Sequence, residues 1–321
     1  MSNYLQDLTF RLTVGAAQLD ESTRDVHARF IESSQRADGG WAGREGESDP
    51  YYTAFALRSL AVLGRLSPSV AAAAAGFLRQ RLTRRDSVVD LMSLIFAAAI
   101  LELFADEVVI ADDDEHWRDN VTSLLASMRT PDGGFAKTPE GHAGSTYQTF
   151  LAVLCHELMD VPVPEREAVV AFIDSQAFDD GGFREIRVAK RAGVNPTAAA
   201  IGTLKAIGGL LPDDHPQTID FLAEMQTTEG GLTANTRIPF PDLLSTCTGL
   251  ITLADLDASD VLQGAALVRY ARAMQRRDDR GDLQGGFVGF ELDQQTDVEY
   301  TFYGIAALSL AAMLFPEENV S

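Results

Sequence analysis

The chain has 321 residues, 46% of them hydrophobic, with 47 acidic and 26 basic side chains and a net charge of -21. That length is enough for one large core. A surface this negative repels nucleic acid phosphates and anionic headgroups, which sets nucleic acid aside as a partner.

In chain order, residues 1–20 carry no long apolar stretch, so no signal peptide is expected, and about 1–18 read as a short N-terminal extension of a single domain spanning 1–321. A repeat follows. An outer-type helix ends on Phe30 and Gln35, then Asp38, Gly39, Gly40 and Trp41. The pattern returns at Gly133, Gly134 and Phe135, at Gly181, Gly182 and Phe183, at Gly230, Gly231 and Leu232, and at Gly285, Gly286 and Phe287. The steps between glycine pairs are 94, 48, 49 and 55 residues, so the first conceals a further unit. Phe77 to Gln80 is its helix end, with the glycines lost around Arg84–Asp86. Six units of roughly 48 residues mean repeat architecture.

A second motif follows each pair: a capping residue, three residues, usually Thr, then an apolar helix. The copies start at Asp49, Ser145, Asn195, Asp242 and Asp297, with Asp90 opening a degenerate sixth. Asp, Asn and Ser cap helices by accepting a free backbone N–H, and Pro50 and Pro196 fit a first helical position. The helix after each cap is apolar nearly all round, as in Tyr51–Leu63, whereas the helix before Gly-Gly has one apolar stripe, as in Val169, Phe172 and Ile173. One helix of each pair therefore lies inside and one outside. The glycine pair suits a helix exit with left-handed backbone angles. The expected fold is all-α, an (α/α)6 toroid of six helix pairs. The longest nearly apolar run, Thr301–Leu314, is too short to span a bilayer. Cys155 and Cys247 sit in apolar stretches and form no disulfide framework or zinc motif, which suits a cytoplasmic protein.

In a closed ring the inner helices start at one rim, where their partial positive charges favour anions. Arg184, Arg187, Lys190 and Arg191 lie in one loop leading to that rim, with Arg44 and Arg237 in equivalent loops. They read either as a phosphate or diphosphate grip or as a solvated basic loop. Tyr51, Tyr52, Phe55, Tyr147, Phe150, Phe302 and Tyr303 start the inner helices. They read either as the wall of an isoprenoid cavity or as plain core.

The repeated Gly-Gly-Phe followed by Asp-x-x-x-Thr resembles the β subunits of protein prenyltransferases, especially the geranylgeranyl type, over roughly residues 20 to 315. Squalene and terpene cyclases share the repeat. The resemblance implies the toroid, and in the prenyltransferases it implies zinc held by Asp-x-Cys in one late repeat and Asp-x-x-His in the last. Here the matching positions are Asp242 with Leu244, and Asp297 with Tyr300. Two of three ligands are replaced by residues that do not bind zinc, so no zinc and no other cofactor is expected. Asp242, Asp297 and Tyr300 then stand as candidate catalytic residues of low specificity, the two aspartates reading first as helix caps.

The lead functional reading is a prenyltransferase-like protein that holds an isoprenoid or isoprenyl diphosphate in an aromatic-lined cavity, with any prenyl chemistry independent of zinc. One alternative is a non-catalytic toroidal scaffold for a lipid or protein. The other is an acid-initiated, terpene-cyclase-like enzyme. For the cyclase, Asp112–Glu115 reads as cap and surface, the pairs Glu47/Asp49 and Asp297/Glu299 offer rim acids, and the length leaves no room for the second barrel that cyclases usually carry. A partner protein, including an α-type subunit, or self-association is open.

Overall fold

The computed structural model describes residues 3–82, 87–110 and 116–316. Two expected features, the lost glycines at Arg84–Asp86 and the acidic run Asp112–Glu115, lie outside the described residues.

A first helix, α1 (Tyr4–Ala16), precedes the repeat. The outer helices are α2 (Glu21–Ser33), α4 (Pro68–Arg79), α6 (Trp117–Ser127), α8 (Arg166–Ser175), α10 (Pro216–Glu224) and α12 (Gly264–Ala273). The inner helices are α3 (Pro50–Val62), α5 (Val88–Ala105), α7 (Thr146–Leu158), α9 (Val194–Ala206), α11 (Leu243–Asp255) and α13 (Val298–Leu314). Each inner helix packs on the next, and α13 packs back on α3, which closes the ring. The last repeat adds a short antiparallel ribbon, β1 (Gln275–Arg277) and β2 (Leu283–Phe287), and β2 packs on α2 across the seam.

The repeat residues explain one another. In five units the residue after Gly-Gly is buried and its backbone N–H donates to the Thr of the following inner helix. The pairs are Trp41 with Thr53 at 3.1 Å, Phe135 with Thr149, Phe183 with Thr197 and Leu232 with Thr246 at 2.9 Å, and Phe287 with Thr301 at 3.2 Å. That Thr ties the glycine turn to the inner helix and satisfies a buried donor.

The glycines do more than end a helix. Gly39 sits in the turn after α2 at φ +89°, and a side chain there would meet the Ala73 carbonyl of the next outer helix at 2.2 Å. Gly40 lies under the Phe77 ring of that helix. In five outer helices the recurring aromatic is thus the lid on the preceding unit's second glycine, as Phe172 is for Gly134 and Phe221 for Gly182.

Two caps differ from expectation. α9 starts at Val194 after Gly193, so Asn195 is its second residue and Thr197 the repeat Thr. α5 is capped by Ser87, whose Oγ accepts from the Asp90 backbone N–H at 3.2 Å and donates to the Asp90 carboxylate at 2.7 Å. The pattern slipped in both units because Asn and Asp are equally good caps by type, and only the backbone angles decide which residue stands at the helix start.

Among the described residues one helix, α5, is long and apolar enough to cross a bilayer. It is an inner helix between α3 and α7.

α1 is not a loose extension. It crosses the ring at the end away from the inner-helix starts, touching α3, α7, α9 and α13. The buried Asp255 carboxylate holds it, accepting from Tyr4 Oη at 2.8 Å, Arg11 at 2.8 Å and Lys205 Nζ at 2.7 Å. The Tyr4 backbone N–H donates to Glu157 Oε1 at 2.8 Å.

Candidate functional site

Parallel inner helices with a 3.6-residue period turn one residue per turn to the ring axis. The result is a central cavity of about 410 Å³ built in layers. The mouth layer is the second residue of five inner helices: Tyr51, Tyr147, Asn195, Leu244 and Glu299, with Glu185 joining from a loop. One turn deeper lie Phe55, Met92, Phe150, Leu151, Ala198, Ala199, Cys247, Thr248, Phe302 and Tyr303. The deepest wall is Arg58, Leu154 and Ile251, and Tyr4, Leu5 and Leu8 of α1 form the floor.

The aromatic wall is cross-braced by edge contacts. Tyr51 meets Tyr52 and Phe55 with centroids 5.2 and 4.9 Å apart, and Phe55 meets Tyr303 at 5.4 Å. Tyr51, Tyr147, Phe302 and Tyr303 thus line the cavity. Tyr52 does not. It turns back under Gly43, where any side chain would collide with its ring.

The mouth is acidic, not basic. Glu299 accepts from Tyr51 Oη at 2.7 Å and from Tyr303 Oη at 3.4 Å, and burial raises its carboxyl above the usual range. Glu185 accepts from Ser145 Oγ and is raised by burial too. The expected cationic grip is not assembled here. Arg184 donates to the Arg187 and Ser175 carbonyls and stacks on Phe178, facing away. Arg187, Lys190, Arg191 and Arg237 are exposed on the loops, and none lines the cavity. Arg44 is held by Asp293 and Asp297 at 2.5 and 2.8 Å.

Several helix starts are occupied as well. The first N–H of α5 donates to the Lys137 carbonyl, of α7 to Glu185, of α9 to Ala234 and of α11 to Gly289, each in the next repeat's loop. The donors that would bind an anion at those helix starts therefore already hold neighbouring loops together.

The three candidate catalytic residues sit beside the cavity. Asp242 caps α11, accepting from the Ser245 N–H at 2.7 Å and its hydroxyl at 2.9 Å. Asp297 caps α13 through the Tyr300 N–H at 2.8 Å and pairs with Arg44. Tyr300 lies against Gly289, and its hydroxyl is pushed up to about 12, chiefly by burial, then by Asp242 and Glu299. Leu244 faces the cavity where the resemblance places a cysteine. Cys247 lies one turn below, and burial pushes its thiol up to about 12, which opposes the thiolate that zinc requires. Among the described residues no three His, Cys, Asp or Glu side chains are placed to share a metal ion.

Sequence reasoning passed over Arg58 and Glu185. Arg58 was legible, being a cation in an otherwise apolar inner helix, seven residues beyond Tyr51 and so on the same face. Glu185 carried no signal, because it stands among the basic residues of a loop.

The family model for the prenyltransferase alpha-alpha toroid domain matches residues 11–313. No curated protein gives a significant match. Among solved structures, the chain is similar to Candida albicans protein geranylgeranyltransferase-I complexed with GGPP, at 15% identity and a TM-score of 0.69, covering 91% of this chain and 92% of that one. It is similar also to the type II terpene cyclase MstE from Scytonema in complex with geranylgeranyl dihydroxybenzoate, at 16% identity and a TM-score of 0.63, covering 93% of this chain and 99% of that one. At such identities the likeness is one of fold. It does overturn the length argument against a cyclase, since that cyclase chain is matched along 99% of its length by this single toroid. With its closed ring of six helix pairs and a family match over residues 11–313, this chain belongs to the prenyltransferase α/α-toroid domain family.

Proposed function

We propose that this protein binds an isoprenoid chain in its central cavity. The observation that carries the reading is the cavity itself: about 410 Å³, walled by stacked aromatic and aliphatic side chains, floored by α1 and opening among tyrosines. That volume lies within the ~300–1,000 Å³ of small-molecule sites. The similar structures that hold geranylgeranyl compounds support the choice of isoprenoid. Any chemistry we infer to be independent of zinc, because the two aspartates are spent on caps and Leu244 and Tyr300 replace the other ligands. Stoichiometric zinc in the purified protein would overturn that part.

The test is calorimetric titration with farnesol and geranylgeraniol. Saturable binding is expected for at least one, and Ala198→Trp, which fills the middle layer, should abolish it while the protein stays folded. No binding by ~100 μM ligand, an affinity weaker than about −5.5 kcal/mol, would favour a toroidal scaffold instead.

Glu299 favours a second reading, acid-initiated chemistry. A buried carboxyl with a raised pKa, set by two tyrosine hydroxyls at the cavity mouth, is placed to protonate a bound alkene. Glu299→Gln should then stop turnover of a bound polyprene without weakening its binding; turnover that survives the change removes Glu299 from that role.

A further inference from the structure

Among the described residues Arg58 is the only charged side chain lining the cavity below its mouth. It projects from the third turn of α3, ~10 Å below Tyr51 along the helix. Its guanidinium stacks on Phe302 at 4.0 Å, on Phe96 at 4.8 Å and on Phe55 at 5.7 Å. No described residue accepts a hydrogen bond from it or pairs with its charge. The titratable groups that act on it are Tyr303, Cys247, Tyr147 and Tyr4, all held in their neutral forms. Burial lowers its pKa to about 10, which leaves it a cation at neutral pH.

An unpaired cation this deep in the fold is costly, and among the described residues only three ring faces offset it. Two consequences follow. A carbocation developing against Phe302 or Phe55 would meet Arg58 on the same rings, so the deep half of the cavity does not suit one. An anion would meet five unused N–H donors in a largely apolar pocket, the geometry that binds carboxylates two-pronged. The mouth gives an anion no such welcome, because Glu185 and Glu299 stand there.

We propose that the cavity takes an aliphatic carboxylate head first, the carboxylate seated on Arg58 and the hydrocarbon chain rising past the aromatic wall to the mouth. This rests on the reading of the cavity as an isoprenoid site and names the ligand's polar end. The shared chemistry is a carboxylate on a long apolar chain, and the chain is either polyprenyl or straight.

The experiment compares all-trans-farnesoic acid, farnesol, farnesyl diphosphate and hexadecanoic acid by calorimetry, on the wild type, on Arg58→Met and on Arg58→Lys. Farnesoic acid should bind roughly 10- to 100-fold tighter than farnesol. Arg58→Met should erase that preference and raise the melting temperature of the unliganded protein, since it removes an unpaired charge from the interior. Arg58→Lys should keep part of the preference. Equal affinity for acid and alcohol, a preference that survives Arg58→Met, or tightest binding of the diphosphate would each overturn the proposal while leaving the isoprenoid site standing. Binding of none of the farnesyl compounds, with hexadecanoic acid bound through Arg58, would overturn the isoprenoid reading and uphold the carboxylate seat. Binding of no compound would overturn both. A readout on the wild type alone is the carbon-13 signal of labelled farnesoic acid. Beside Arg58 its carboxyl should titrate below the ordinary ~4.3; beside Glu185 and Glu299 it would titrate above, and the proposal would fail.

Discussion

Thr246 shows how one residue type recurs for one physical reason. It accepts from the buried Leu232 N–H at 2.9 Å and donates to the Asp242 carbonyl at 2.7 Å. Valine has nearly the same shape and cannot accept, so Thr246→Val leaves a buried N–H unpaired at a cost of about 1–3 kcal/mol. A lower denaturant midpoint is expected for valine and a near-normal one for Thr246→Ser; equal midpoints for the two would show that the hydroxyl does not matter. The Thr was visible in the sequence as part of a spacing. Its partner was not, because the bond joins residues 14 positions apart whose approach depends on the glycine turn between them. The same limit applies to Asp297. Its capping role was legible from residue type, whereas its pairing with Arg44 links the last repeat to the first.

Between elements, the seam where the last repeat meets α2 is what turns a row of helix pairs into a ring. His27 of α2 fills it. Its Nδ1 accepts from the Gly286 N–H at 3.1 Å, its Nε2 meets the Gln275 amide at 3.1 Å, and its ring stacks on Phe287. Burial lowers its pKa from 6.5 to about 4. The folded seam therefore holds neutral histidine, while the unfolded chain takes up a proton once the pH drops below about 6.5. The stability is present above that pH and lost as the pH falls toward 4, by about 3 kcal/mol in all. Melting curves from about pH 7 to about pH 4.5 should show a steeper loss for the wild type than for His27→Gln. Parallel curves would mean that His27 does not titrate the seam. The sequence holds five histidines, and nothing local marks His27 among them as the joint.

For the molecule as a whole, α1 decides whether the toroid is a ring with two open ends or a cup. Asp255 anchors it, with a side chain only 1% exposed between Arg11 and Lys205. Asp255→Asn leaves both cations without their carboxylate. Because each keeps some contact with solvent, the expected loss is about 3 kcal/mol, at the low end for a broken buried pair. Limited proteolysis should then release α1 before the ring unfolds. Release of α1 only on global unfolding would show that apolar packing alone holds the floor. A cup rather than an open ring gives the cavity a closed bottom of Tyr4, Leu5 and Leu8, and that low-polarity floor strengthens the attraction of Arg58 for an anion.

The sequence by itself determined the six units, the inner and outer helices, the all-α toroid and most of the caps. These follow from local periodicity and residue type, which act over one or two turns. Of the seven aromatic residues it placed on the inner helices, all but Tyr52 line the cavity, because an apolar inner helix must turn some face to the axis. The tertiary structure alone decided the rest. Ring closure placed Arg44 against Asp293 and Asp297, the loops of neighbouring units took the first N–H groups of α5, α7, α9 and α11, and Glu185 and Glu299, not the basic loop residues, came to line the mouth. Charge at a site depends on which side chains converge and which are already paired, and that is set by contacts between residues dozens to hundreds of positions apart.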